Sequence, residues 1–368
     1  MAVKARHRGP RPAALLLVAP ILLLSWACGW NLSFALGVSP RSRPTPQTGG
    51  ARMHFPDAEA ASSSTASFLA VGGLAAAVTM ASASKRAKLV GRKAEEVEDW
   101  SLESVSKKFA PQVAEIRKLC KDLPEDFDDT KLLRYALQHP DAPGDAAANV
   151  KEVLEWRQGE GAGIVKAAAD AIAKAQEGGG WDNKPVLDAA PHAAKVSKYI
   201  TPSQMVVVST KVGDLVTCIR ASTIDSEALM KEVTEEEMTE FFIYAREVNS
   251  AMAEFRTRNT GHVCRLISAN DLTGVSKFPD QSFQNALTGS AKRAVTLYPG
   301  YSGPTVLLNL PWLARMLVSI LTPLFPGAVR EKIKFARGPM AYMKDLEDVI
   351  KEPTRGMFVD DLQAVLNS

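Results

Sequence analysis

His262 and Cys264 stand two residues apart, so on a strand their side chains would share a face, as zinc ligands can. A structural zinc site needs four ligands, and His192, Cys120 and Cys218 lie at no spacing that completes one. The expected state is a hydrogen-bonded histidine beside a small apolar cysteine, with no metal. Glu235, Glu236 and Glu237 could mimic a paired acid and base. They follow Thr234 at the start of a helical pattern, however, where carboxylates favour the helix dipole. Gly159, Gly161 and Gly163 are followed by Ile164 where a dinucleotide fingerprint requires glycine, no strand precedes them, and the sequence has no GK[ST]. That cluster and Gly178-Gly179-Gly180 read as hinges. No GxSxG elbow occurs, and the few serines near lysines lack a partnered base. Neither catalytic residues nor a cofactor are predicted.

The elements that carry these residues change character along the chain. Residues 95–177 read as helices. Asp128-Asp129 caps a helix with Leu132, Leu133, Tyr135, Ala136 and Leu137 on its apolar positions, and His139-Pro140 ends it. A second helix is expected after Asp145, carrying Val150, Val153, Leu154 and Trp156, and an Ala-rich stretch covers 164–176. Beyond Trp181 short β-branched runs at 204–210 and 215–220 flank Gly213-Asp214, a hairpin pattern. Thr234 and Glu237 form a capping box for a long amphipathic helix with Met238, Phe241, Phe242, Ala245, Val248 and Met252 on one stripe. A strand at 262–269, a helix at 282–297, a strand at 305–310 and a helix from Pro311 complete an alternating order, which implies parallel strands with crossover helices.

The 368 residues are 46% hydrophobic and 23% charged, enough apolar material for one or two packed domains. Four scattered cysteines exclude a disulfide scaffold. Residues 1–92 hold 11 Lys and Arg against Asp57 and Glu59, so the remaining chain is acidic, at 33 basic to 39 acidic residues. Such a body lacks the basic footprint that phosphate backbones demand, and nucleic-acid binding is not expected. Lys4, Arg6, Arg8 and Arg11 before the apolar run 13–24, with Ser25-Trp26-Ala27 after it, predict a signal peptide over 1–27. The Ser/Ala/Arg/Pro-rich stretch 28–92 reads as a transit peptide with an apolar run at 68–81, which could also remain as a membrane anchor. Two leaders in series predict delivery through the secretory pathway to the plastid (chloroplast) of a complex-plastid alga, and Ser33-Phe34-Ala35 resembles the aromatic start of such transit peptides. Endomembrane residence or secretion is the alternative.

Residues from about 95 to 365 resemble the CRAL-TRIO family of lipid-binding proteins, in particular phosphatidylinositol-transfer proteins of the yeast type. The resemblance is carried by Lys131-Leu132-Leu133-Arg134-Tyr135 and Leu154-Glu155-Trp156-Arg157 in the helical part. Further on it is carried by Asp271-Leu272-Thr273-Gly274-Val275-Ser276, Tyr298-Pro299, Leu307-Leu308-Asn309-Leu310-Pro311-Trp312, Pro323-Leu324-Phe325-Pro326 and Arg330-Glu331-Lys332-Ile333. It implies an α/β fold: a helical module over 93–180, then over 181–368 a CRAL-TRIO-like lipid pocket with a mainly parallel sheet flanked by helices.

The resemblance also implies a pocket floored by the sheet and closed by a movable helix. Over 312–324 the polar residues Arg315, Ser319 and Thr322 fall on one narrow stripe and apolar side chains cover the rest, so such a helix must be buried or must touch lipid. The expected lipid-contacting residues are Leu266, Ser268, Leu307, Asn309, Trp312, Met316, Leu317, Ile320 and Leu324. Polar contacts of the phosphatidylinositol-binding members align with Leu266, Ser268, Gly289 and Thr322, so only one hydroxyl of the strand pair remains. The expected ligand is a phospholipid, sterol, tocopherol or carotenoid, taken up in transient contact with a membrane surface. A ligand-free interaction or scaffold module with the same fold is the alternative.

Overall fold

A computed structural model describes residues 99–178, 181–208, 214–220, 223–273, 279–309 and 333–336, all within one compact unit. Four helices come first: α1 (Leu102–Leu119), α2 (Asp129–Gln138), α3 (Pro143–Gln158) and α4 (Ala162–Gln176). In α1 the buried Val105, Phe109, Val113 and Ile116 recur every three or four residues and form one apolar stripe. Asp128 caps α2 by accepting from the Lys131 backbone N–H at 3.0 Å, and His139 ends it. Helix α3 begins at Pro143, two residues before the expected Asp145, because proline at the first helical position forfeits no intrahelical bond. Gly159 and Gly161, on either side of Glu160, separate α3 from α4, and Gly161 packs so tightly on the Trp156 ring that a Cβ there would overlap it.

Two short helices, α5 (Asn183–Asp188) and α6 (Ala193–Val196), lead to strand β1 (Met205–Val206) and strand β2 (Leu215–Arg220). Then come α7 (Ser226–Glu232), α8 (Glu235–Thr260), β3 (Leu266–Asp271), α9 (Gln281–Leu297), β4 (Ser302–Leu308) and β5 (Ile333–Ala336). The sheet order is β1-β2-β3-β4-β5. Strand β1 pairs antiparallel with β2, matching the hairpin pattern, and the other neighbours are parallel. Parallel neighbours taken in sequence order, joined by right-handed crossovers, place α8 and α9 on the same side of the sheet. Leu215, Ile219, Leu266 and Leu307 share their core with residues of both helices. By register, Thr217, Ser268, Asn270 and Thr305 stand on that same face.

Helix α8 differs from its expected amphipathic form. The capping box is present, with Thr234 accepting from the Glu237 N–H and the Glu237 carboxylate accepting from the Thr234 N–H. The stripe from Met238 to Met252 is buried, but so are Ile243, Tyr244, Arg246, Glu247, Asn249, Ser250, Glu254, Arg256 and Thr257. Neighbours on several sides explain this: α8 packs against α2, α4, α9 and β2. A helix enclosed in this way cannot keep a polar face for solvent, so its polar residues find partners inside.

The second difference concerns residues 262–265, which were expected to begin a strand. Strand β3 starts at Leu266, because the backbone N–H groups before it are taken elsewhere. Val263 donates to the Trp100 carbonyl at 2.8 Å, Cys264 to Thr257 Oγ1 at 3.0 Å and Arg265 to Asp214 Oδ1 at 2.8 Å. His262 and Cys264 therefore do not lie on a common strand face. The imidazole Nε2 is 3.4 Å from Asp214 Oδ1, and Cys264 is buried.

Candidate lipid site between helix and sheet

The interior between α8 and the sheet is polar along one strip. At its centre a small cavity, with room for little more than a water molecule, is lined by Arg246, Asn249, Ser250, Leu266, Tyr298 and Tyr301. Helix periodicity makes the first three neighbours, since positions three and four apart share a face. Leu266 opens β3, Tyr298 caps the end of α9, and Tyr301 lies just before β4.

The phenols are fixed by hydrogen bonds. Tyr298 donates to the Ile243 carbonyl at 3.3 Å and sets its ring edge-on to Trp156, with centroids 6.3 Å apart. Tyr301 donates to Glu254 Oε1 at 3.1 Å, and the Arg134 guanidinium stacks over its ring at 4.4 Å. Burial, reinforced by Glu247 beside Tyr298 and by Glu254 beside Tyr301, drives both hydroxyls well above the ordinary phenol range, so both keep their protons. The Ser250 hydroxyl donates to the Glu247 carbonyl at 3.0 Å.

Two ion pairs flank the cavity. Arg134 donates to Glu254 Oε1 at 2.8 Å, to Thr257 Oγ1 at 2.8 Å and to the Gly300 carbonyl at 3.3 Å. Arg157 donates to both oxygens of Glu247, at 2.9 and 3.0 Å. Arg134 and Arg157 come from α2 and α3 and both glutamates from α8, so these pairs fasten the helical segment to the domain behind it. Arg246 is 4% exposed on the same stretch of α8. Burial draws its guanidinium down to about 9, opposed by Tyr298.

A second polar cluster closes the carboxyl ends of β3 and β4. Asp271 Oδ1 accepts from the Thr273 N–H at 3.0 Å, the Thr273 hydroxyl at 2.6 Å and Asn309 Nδ2 at 3.0 Å. Asn309 also donates to Thr273 Oγ1 at 2.8 Å, and Arg220 Nε lies 3.5 Å from Asp271 Oδ2. Asn309 has φ 56°, a left-handed conformation that asparagine accepts more readily than most residues.

Of the residues expected to touch lipid, Leu266 lines the cavity. Ser268 and Leu307 are buried on the same face of the sheet, at 5% and 0% exposure. Asn309 sits in the strand-end cluster instead. Trp312, Met316, Leu317, Ile320 and Leu324 lie outside the described residues. Sequence reasoning missed Arg246, Asn249, Ser250 and Tyr301. A signal was present: Arg246 continues the buried stripe four residues after Phe242, and Asn249 and Ser250 follow by three and four.

Residues 204–352 match the family model of the CRAL/TRIO domain. That stretch holds the mainly parallel sheet flanked by helices, which has the architecture of the CRAL-TRIO fold and lies behind an N-terminal helical region. Proteins of this family bind hydrophobic lipid ligands. Among solved structures the chain is similar to the crystal structure of Sfh5, at 14% identity and a TM-score of 0.36, over 65% of this chain and 81% of that one. No curated protein matches the chain.

Proposed function

We propose that this protein binds a hydrophobic lipid without chemically changing it and carries it between membranes. The observation that supports this most is the CRAL/TRIO match over 204–352, which coincides with the sheet and the α8 interior. The energetic demand is large. An 18-carbon tail has roughly 16 methylenes, and at about 0.8 kcal/mol each it would cost on the order of 13 kcal/mol to hold in water. The carrier therefore has to enclose the tail, and the segment 312–324, apolar except for Arg315, Ser319 and Thr322, has the composition of a gate that opens at a bilayer and closes over its cargo.

The test is transfer of a fluorescent phospholipid between phosphatidylcholine vesicles by the full chain. Transfer is expected, and replacing Leu317 and Ile320 with Asp should abolish it while circular dichroism stays native. Unimpaired transfer by that variant would refute the gate, and absent transfer by the unmodified chain would refute carriage.

The place of action we propose is the plastid of a complex-plastid alga, from the signal-like run 13–24 followed by the acid-poor stretch 28–92. Residues 1–92 fused to a fluorescent protein should enter that organelle. Secretion or a cytosolic signal would contradict this.

A further inference from the structure

The residues around the cavity between α8 and the sheet divide by what they can offer its interior. Tyr298 donates to the Ile243 carbonyl at 3.3 Å, Tyr301 to Glu254 Oε1 at 3.1 Å and Ser250 to the Glu247 carbonyl at 3.0 Å. A hydroxyl has one proton to donate, so these three oxygens have only acceptor capacity left. Leu266 is apolar, and Arg246 is engaged in an interaction of its own. Asn249 is different. It is 4% exposed, and its Oδ1 accepts no hydrogen bond among the described residues. A buried amide oxygen without a donor is destabilising, so the chemistry of this wall calls for a small donor. Size restricts the choice further. The cavity leaves about 10 Å³ for the centre of a water molecule, close to the least that admits one and too little for a lipid head or tail.

We propose that one water molecule is bound in this cavity as a fixed part of the fold, donating one proton to Asn249 Oδ1 and the other to the phenol oxygen of Tyr298 or Tyr301. With the oxygen and nitrogen of the amide exchanged, the same water would accept from Asn249 instead, so the assignment does not depend on which way round the amide stands. Asn249 belongs to α8, whereas Tyr298 ends α9 and Tyr301 precedes β4. The water therefore bridges the long helix to elements that follow it in the chain, as bridging waters do for polar groups too far apart to bond directly. This inference goes beyond lipid carriage and is independent of it.

The test has two arms, both on the full chain. The first is a crystal structure at a resolution that shows ordered solvent. One water peak is expected in the cavity, within about 3.2 Å of the Asn249 amide and of one of the two phenol oxygens. The second counts long-lived internal waters in solution by oxygen-17 relaxation dispersion of the solvent. Asn249→Leu, close in volume but without the amide, should show one such water fewer than the unmodified chain while its circular dichroism stays native. A cavity with no peak, or Asn249 bonded directly to a side chain of the wall in place of a water, overturns the proposal. An unchanged count in the variant overturns the role of Asn249 in holding the water. If Asn249→Leu fails to fold, the crystal structure of the unmodified chain decides alone. None of these results alters the vesicle-transfer test of lipid carriage.

Discussion

Asp214 ties the start of β2 to the entry of β3. It accepts from the Arg265 N–H at 2.8 Å and from Arg265 Nη2 at 2.6 Å, and His262 Nε2 lies 3.4 Å away. Burial pushes this carboxyl up, but His262 and Arg265 together outweigh that and hold it below the usual carboxylate range. A carboxyl lowered on folding adds stability above its unfolded pKa of about 4, and this stability is lost as pH falls through the folded value. Asp214→Asn should therefore lower stability at pH 7, by about 1–3 kcal/mol. In urea unfolding the gap from the unmodified chain should shrink steadily below pH 4, and a gap independent of pH would count against this account. The sequence marks Asp214 as a turn residue beside Gly213, which lies outside the described residues. Its partner is 51 residues away, beyond the reach of any local pattern, and for the same reason His262 could be read as paired with Cys264 when its neighbour is a carboxylate.

Among elements, α8 was the easiest to find and the hardest to read. Thr234 and Glu237 announce its start, and Gly261, left-handed at φ 65°, ends it. Neither cap indicates that several elements will surround it, and the apolar stripe alone does not single out Arg246, Asn249 and Ser250 as buried. The block around Arg134 is a comparable case. Its resemblance to a family pattern was visible, but the reason lies in tertiary structure: Arg134 joins α2 to α8 through Glu254 and to the approach of β4 through the Gly300 carbonyl. Gly300 has φ 71°, and a Cβ there would overlap the Arg134 backbone. Gly300→Ala combines an unfavourable backbone conformation with steric overlap, and it should cost about 2 kcal/mol or more. A urea midpoint equal to that of the unmodified chain would show that α2 does not press on this turn as described.

For the whole molecule, the alternation of strands and helices beyond Trp181 was legible because hydrophobic period and turn residues are local properties. The parallel order of β2 to β5 then follows from the crossover rule. What the sequence could indicate of the expected site was its strand pattern: alternation puts Leu266, Ser268 and Leu307 on one sheet face, the face covered by α8 and α9, while the bond from Asn309 to Asp271 across 38 residues is not a local property. The central claim is that the protein encloses a hydrophobic lipid. Its most direct test is mass spectrometry of the chain purified without added lipid, first intact under native conditions and then after solvent extraction. The account predicts a co-purifying lipid at about one molecule per chain, released on unfolding. A chain that carries no lipid, and takes up none when offered vesicles, would contradict it.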